Sequence, residues 1–199
     1  MKPIVVLYAT REGHTRRIAE HLASTLRARG HAASARDVSM FSDPLTPDGF
    51  KAVILAASVH LGKHEPEMVA FVRRHREQLE LVPSAFLSVS LSAATAEDET
   101  RAASVRAEAD ASVHKALDTF AKETGWHPSR AKAVAGALLY TQYGVLVRFV
   151  MKMIAKRAGH PTDTSRDYVY TDWRALDRFL DEVAEPLAMN EVGTSHHHP

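Results

Sequence analysis

Short apolar runs alternate with segments of helical periodicity along most of this chain of 199 residues. The strand-like runs lie at about residues 3–9, 32–38, 52–57, 85–91 and 131–138. The helical segments lie at about residues 15–29, from Pro66 onward, 97–122 and 173–187. Parallel strands need long crossover connections, which helices supply. The alternation therefore predicts an α/β domain whose parallel sheet is covered on both faces.

The composition excludes several classes of protein. The net charge of +1, without a long run of Lys or Arg, argues against a general nucleic-acid binder. Because the chain has no cysteine, disulfides, thiolate metal sites and cysteine nucleophiles are excluded. We see no signal-peptide pattern and no apolar run long enough to cross a bilayer, so we expect a cytoplasmic protein. We expect one domain over residues 1–188 and a disordered or tag-like tail over 189–199.

The residues between the first strand and the first helix read Tyr8-Ala-Thr-Arg-Glu-Gly-His-Thr15. A tight strand-to-helix turn leaves the first N–H groups of the helix without partners, and these groups and the helix dipole bind phosphate. Thr10 and Thr15 add hydroxyl groups, and Gly13 allows close approach because it has no Cβ. The segment matches neither the Walker motif nor G-x-G-x-x-G. It predicts a phosphate-monoester site, with a plain turn capped by Thr15 as the alternative.

About 34 residues, 139–172, separate the fifth predicted strand from the last helix, which is too many for an ordinary loop. This insert contains a predicted helix over 145–157 that is apolar on most of its surface and carries Arg148, Lys152 and Lys156 at helical spacing. One interpretation is an extra core helix with a solvated basic stripe. The other is a lid or membrane-surface helix whose apolar face meets lipid or a lipophilic substrate.

Several blocks of the chain resemble the flavodoxin family, namely residues 10–15, 57–62, 83–86, 135–138, 162–164 and 169–173. Within that family the chain is most similar to the menaquinone-dependent protoporphyrinogen IX dehydrogenases, which are FMN enzymes of bacterial haem synthesis. The similarity runs from the N-terminus to about residue 187. It implies a flavodoxin-like three-layer sandwich with a five-stranded parallel sheet of order 2-1-3-4-5 and a helical insert associated with the last strand.

The resemblance also implies FMN as the cofactor and a set of candidate contacts. For the phosphate these are Thr10, Arg11, Glu12, Gly13, His14 and Thr15, with the Glu12 side chain expected to point outward because a carboxylate repels phosphate. For the isoalloxazine they are Ser58, Val59, His60, Gly62, Ser90, Leu91, Ser92 and Ala93. Candidates for contact with substrate or membrane are Tyr140, Tyr143, Arg148, Phe149, Lys152 and Lys156. His60 and His64 could accept a proton near the flavin; no catalytic residue is assigned, and no metal site is expected.

The implied reaction is the oxidation of protoporphyrinogen IX to protoporphyrin IX in two-electron steps, with menaquinone as the acceptor. The expected partners are therefore porphyrinogen and quinone, without nucleic acid; a homo-oligomer and peripheral contact with the inner face of the cell membrane stay open. Two alternatives are an electron-carrier flavodoxin and an FMN-dependent NAD(P)H:quinone reductase. Electron carriers usually present an acidic surface to their partners, so the basic insert counts against the electron-carrier alternative.

Overall fold

The computed structural model describes residues 2–142, 144–157 and 159–192. Its strands are β1 (Ile4–Ala9), β2 (Ala33–Asp37), β3 (Ala52–His60), β4 (Lys63–His64), β5 (Ser84–Ser90), β6 (Arg130–Ala135), β7 (Ala137–Leu138) and β8 (Tyr168–Val169). Its α-helices are α1 (His14–Ala28), α2 (Pro66–Leu81), α3 (Leu91–Glu97), α4 (Ala103–Thr124), α5 (Val145–Arg157) and α6 (Trp173–Val192). Within these ranges, no helix combines the length and the apolar character needed to cross a bilayer.

Five parallel strands form the main sheet in the order β2-β1-β3-β5-β6. Counted among the parallel strands alone, this is the order 2-1-3-4-5, so the predicted fold class is confirmed. The short strand β4 was not predicted; it pairs antiparallel with the end of β3. The segment from Ala52 to Ala57 is buried at every position, as expected for a central strand with helices on both faces.

Helices cover both faces of the sheet and complete three layers. On one face, α1 and α6 bury side chains such as Leu22 and Leu180 against β1, β3 and β5. On the other, α2 and α4 bury Met68, Val72 and Phe120. Full burial of an aliphatic or aromatic side chain contributes about 1.5–3 kcal/mol, so these two clusters hold the layers together.

Two predicted elements have different boundaries in the structure. The helix predicted over 97–122 begins only at Ala103, because the carboxylate of Asp98 accepts hydrogen bonds from the N–H and hydroxyl of Thr100 and forms a local turn. The strand predicted over 131–138 breaks at Gly136. There the Gly136 N–H donates to the Ser90 carbonyl, and its own carbonyl accepts from Tyr170.

The insert packs on the domain through a small core of its own. Strand β7 pairs antiparallel with β8, which joins the two ends of the insert. Tyr140 is fully buried and its hydroxyl donates to the Pro161 carbonyl at 2.8 Å. Ala155 of α5 is buried, whereas Phe149 and Met153 are 61% and 46% exposed. Helix α5 thus has one side in a core and another in solvent, in agreement with the core-helix interpretation of its sequence, and the lid or membrane-surface interpretation stays a prediction.

The last helix continues to Val192, beyond the domain end predicted at residue 188. Residues 193–199, which include most of the predicted tail, lie outside the described part of the chain, as does Tyr143.

Candidate functional site

A cleft lies at the carboxyl ends of the parallel strands. After β1 the chain turns to the face that carries α1, and after β3 it turns to the opposite face and α2. The two loops therefore diverge at this edge and leave a crevice between them. The crevice has a volume of about 550 Å³, which is in the range of small-molecule sites.

The loop between β1 and α1 has the geometry of an anion site. Gly13 has a φ of +86°, and its N–H donates to the Thr10 hydroxyl at 3.1 Å. Arg17 N–H donates to the Gly13 carbonyl at 3.2 Å as the first turn of α1 closes. The N–H groups of His14, Thr15 and Arg16 come before this first helical hydrogen bond, so they have no partner within α1 and can bind an anion. An ideal Cβ on Gly13 would have no atom within 4 Å, so the space beside this residue can receive a ligand.

A cluster of two carboxylates, one imidazole and one guanidinium forms the wall between this loop and β3. Nε2 of His60 lies 3.1 Å from Glu12 Oε2 and 3.1 Å from Glu65 Oε1. Glu65 is buried, accepts a hydrogen bond from the Ser58 hydroxyl at 3.0 Å and pairs with Arg11 at 3.1 Å. The four ionisable groups are therefore electrically balanced when His60 carries a proton.

The expected outward orientation of Glu12 is wrong. Its side chain is 19% exposed and faces His60, which offers a partner for the carboxylate. Arg11 is likewise directed to Glu65. Glu65 was not among the predicted residues, because its only local signal is a place just before Pro66 at the start of a helix, and its partners are distant in the sequence.

His14 points away from the loop and into the protein. The Thr171 hydroxyl donates to the Ala135 carbonyl at 2.6 Å, so it accepts the Nε2–H of His14, whose nitrogen is 2.7 Å away. Burial, together with the charge of Arg17, lowers the pKa of His14 to about 4. The imidazole is therefore neutral at pH 7, and the contribution of this residue to an anion site is its backbone N–H.

His64 is buried in the core and does not line the cleft. Its ring is between Phe86 and Phe120, with centroid distances of 5.1 and 4.8 Å, and its Nε2 lies 2.8 Å from the Ser88 hydroxyl. Burial lowers its pKa to about 4. This position gives His64 a packing role instead of the proton-accepting role considered from the sequence.

The cleft gathers the predicted cofactor contacts except Gly13, which supports the loop, and Ala93. Ala93 is buried inside α3, where its N–H donates to the Ser90 hydroxyl as part of the helix cap. The sequence did not predict the wall opposite β3. That wall is formed by α4, by the β6–β7 junction and by the insert, through Ser112, Val113, Ala116, Gly136, Ala137, Leu139 and Met151.

The predicted contacts in the insert divide into buried and exposed residues. Tyr140 is enclosed in the small core of the insert, which corrects its prediction as a contact with substrate or membrane. Arg148 is half-buried and its Nε donates to the Tyr140 carbonyl at 2.9 Å. Phe149, Lys152 and Lys156 are exposed.

Comparison with known proteins gives consistent relatives. A family model described as "Flavodoxin domain" matches residues 5–165. Protoporphyrinogen IX dehydrogenase (quinone) of Escherichia coli (strain K12) is 34% identical over 180 residues, which cover 90% of this chain and 93% of that protein. A protein of the same name from Leishmania major is 30% identical over 190 residues, covering 93% of this chain and 76% of that one. A solved flavodoxin from the domain Archaea is 14% identical, covers 94% of this chain and 99% of that chain, and has a TM-score of 0.47.

Proposed function

Since the chain belongs to the flavodoxin domain family, we propose that it is an FMN-dependent oxidoreductase that oxidises protoporphyrinogen IX to protoporphyrin IX with a quinone such as menaquinone. The likeness to the E. coli dehydrogenase along nearly the whole of both chains carries this proposal. The cleft supports it, because anion-binding donors at one end and mostly apolar walls at the other match a phosphorylated aromatic cofactor.

In this proposal, the N–H groups at the start of α1 and the hydroxyls of Thr10 and Thr15 hold the FMN phosphate. The strand ends at Ser58–Gly62 and Ser90–Ser92 flank the ring system, and the insert closes the opposite wall through Leu139 and Met151. When bound, FMN supplies the capacity to take up two electrons and to pass them on. The protein supplies orientation, exclusion of water and a place for the proton.

His60 is the residue that we assign to the proton. Each two-electron oxidation of a porphyrinogen releases a hydride equivalent and a proton, and reduction of a quinone takes up both. His60 lines the cleft, and its Nε2 is buried between the carboxylates of Glu12 and Glu65, 3.1 Å from an oxygen of each. With Nε2 facing the carboxylates, Nδ1 of His60 is the ring nitrogen that accepts the proton from the pyrrole nitrogen and returns it to the quinol oxygen.

Replacing His60 by Gln should lower kcat for porphyrinogen oxidation by about 100-fold, because a general acid–base residue contributes on the order of 10²–10⁴-fold. FMN affinity should be unchanged. The measurement is steady-state kinetics of porphyrinogen oxidation with a menaquinone analogue, together with a titration of FMN affinity. The exposed His127 provides the matched control His127→Gln, which should keep both. A His60 variant with kcat within about threefold of the unmodified protein would contradict the assignment.

The exposed side of α5 is the part of the insert available to the quinone, the porphyrinogen or a membrane surface. Phe149 and Met153 offer apolar area beside the cations Lys152 and Lys156. We propose contact with lipophilic partners here, and sedimentation with vesicles of neutral or anionic lipid tests the membrane arm. Vesicles that leave the protein in the supernatant would restrict the proposal to small molecules.

The direct test of the function is the oxidation of protoporphyrinogen IX by the FMN-loaded protein with a menaquinone analogue. We expect turnover that depends on both FMN and quinone. Quinone reduction driven by NAD(P)H, without porphyrinogen oxidation, would instead support the alternative reductase. Failure of the unmodified protein to bind FMN would contradict both the dehydrogenase and the reductase function.

A further inference from the structure

A second cavity of about 660 Å³ lies on the far side of the β3–β4 hairpin from the cleft. We call it the hairpin groove. The two cavities meet along Arg11, His60 and Leu61, which line both. The remaining wall comes from β4, from the first turns of α2 and from the end of α4; its principal residues are Lys63, Pro66, Val69, Ala70, Arg73 and Glu123. A molecule longer than the cleft can therefore extend over the hairpin into this groove.

Leu61 stands on the ridge between the two cavities in an unfavourable conformation. It forms a two-residue hairpin turn with Gly62, and both have positive φ, +51° and +77°. Among residues 2–142, 144–157 and 159–192, Leu61 is the one non-glycine residue with positive φ. Such turns favour Asn or Asp before Gly, yet this position holds an apolar side chain that is 95% exposed. An observed outlier of this kind motivates a functional hypothesis.

The groove combines an apolar floor with cations at its rim. Pro66 and Val69 of α2 provide the floor. The ammonium group of Lys63 is largely exposed and lies 3.8 Å from Glu123 Oε1, which is longer than a hydrogen bond. Arg73 donates through Nε to the Glu123 carbonyl, which orients its guanidinium at the rim. Apart from Arg11, which pairs with Glu65, the lining carries two cations and one carboxylate, so an anion with an apolar body is the complementary ligand.

We propose that the hairpin groove binds the carboxylate-bearing edge of the tetrapyrrole substrate. Lys63 and Arg73 pair with its propionates, while Leu61 and Val69 contact the apolar part of the ring system. This inference rests on the proposed function, because that function supplies a large substrate with two propionates. It adds a place for those propionates, on the opposite side of the hairpin from the insert.

The test compares protoporphyrinogen IX with its dimethyl ester, in which both propionates are uncharged. An exposed ion pair changes an affinity by only a few-fold, so the loss of two pairs in the variant K63A/R73A should raise KM for the dicarboxylate by about tenfold. It should leave KM for the diester, kcat and FMN affinity unchanged. Binding of protoporphyrin IX itself, measured by absorbance with and without FMN, should weaken by a similar factor and does not depend on turnover.

The variant K152A/K156A tests the competing location for the propionates, since it removes two exposed lysines from the insert. It should have no effect that distinguishes the acid from the ester. Acid-specific weakening in this variant but not in K63A/R73A would place the propionates at the insert and overturn the inference. Turnover with an unchanged KM in K63A/R73A would also overturn it. If the unmodified protein does not oxidise porphyrinogen at all, the proposed function fails first.

The variant Leu61→Asn tests the apolar contact with the substrate independently of the ion pairs at Lys63 and Arg73. Asn accepts the left-handed conformation more readily than Leu, so Tm should rise by about 2–4 °C. KM should rise by about tenfold for the dicarboxylate and the diester alike, because the lost contact does not involve charge. An unchanged KM would contradict a contact between Leu61 and the substrate. A rise that only follows a loss of FMN affinity would assign Leu61 to the cofactor side and overturn its role here.

Discussion

Replacing Gly13 by Asp should lower FMN affinity by at least about 30-fold while the protein stays folded. Two unit charges 4 Å apart interact by about 4 kcal/mol at an effective dielectric constant of 20, and half of that energy already corresponds to about 30-fold. The new carboxylate would stand beside the N–H groups that hold the phosphate, where the structure has open space. Titration of the FMN-free protein, followed by quenching of flavin fluorescence, measures the effect.

Gly30 provides a closely matched control at the other end of α1. Its φ of +85° is nearly that of Gly13, and an added Cβ would also have no atom within 4 Å. Gly30→Asp therefore imposes the same kind of backbone strain far from the cleft. We expect it to cost stability, because a carboxylate near the C-terminus of a helix opposes the dipole, and to leave FMN affinity unchanged. Equal FMN affinity in the two variants would contradict a phosphate site at Gly13.

Acidification from pH 7 to pH 5 should destabilise the fold by about 4 kcal/mol, roughly 2 kcal/mol from each of His14 and His64. Burial lowers the pKa of both residues from 6.5 to about 4. The unfolded chain therefore takes up more protons than the folded one between these values. The stability that depends on the two neutral rings is fully present above about pH 6.5 and is lost as the pH falls toward 4. Because domains are stable by about 5–15 kcal/mol, the loss is large.

Urea unfolding at several pH values measures this dependence. His64→Gln and His14→Gln should each reduce the fall in unfolding free energy between pH 7 and pH 5 by about 2 kcal/mol, whatever they cost at pH 7. Burial also lowers the pKa of His75 and His160, so part of the pH dependence should remain in the double variant. His127→Gln is the control, since the side chain of His127 is in solvent before and after unfolding. A pH dependence in the double variant that is as large as in the unmodified protein would contradict the assignment to His14 and His64.

Local patterns were sufficient to predict most of the fold. Helix α5 has the predicted bounds, and the strands that alternate with helices form the expected parallel sheet. The Thr10–Thr15 segment was predictable because its hydrogen bonds join residues three or four apart. Helix α3 was not predicted, and the helix predicted from residue 97 begins only at Ala103. The polar turn at Asp98 and Thr100 was missed because it lies beside a strong alanine-rich helical pattern.

By itself, the sequence determined the α/β class, the loop with an unpaired helix start and the position of the insert, because each depends on neighbours along the chain. Only the tertiary structure decided that Glu12 faces His60, that Glu65 joins them, and that His14 and His64 are buried. It also decided that the hairpin at Leu61 separates two cavities. Those features depend on contacts between distant segments, which form when the strands take their order in the sheet.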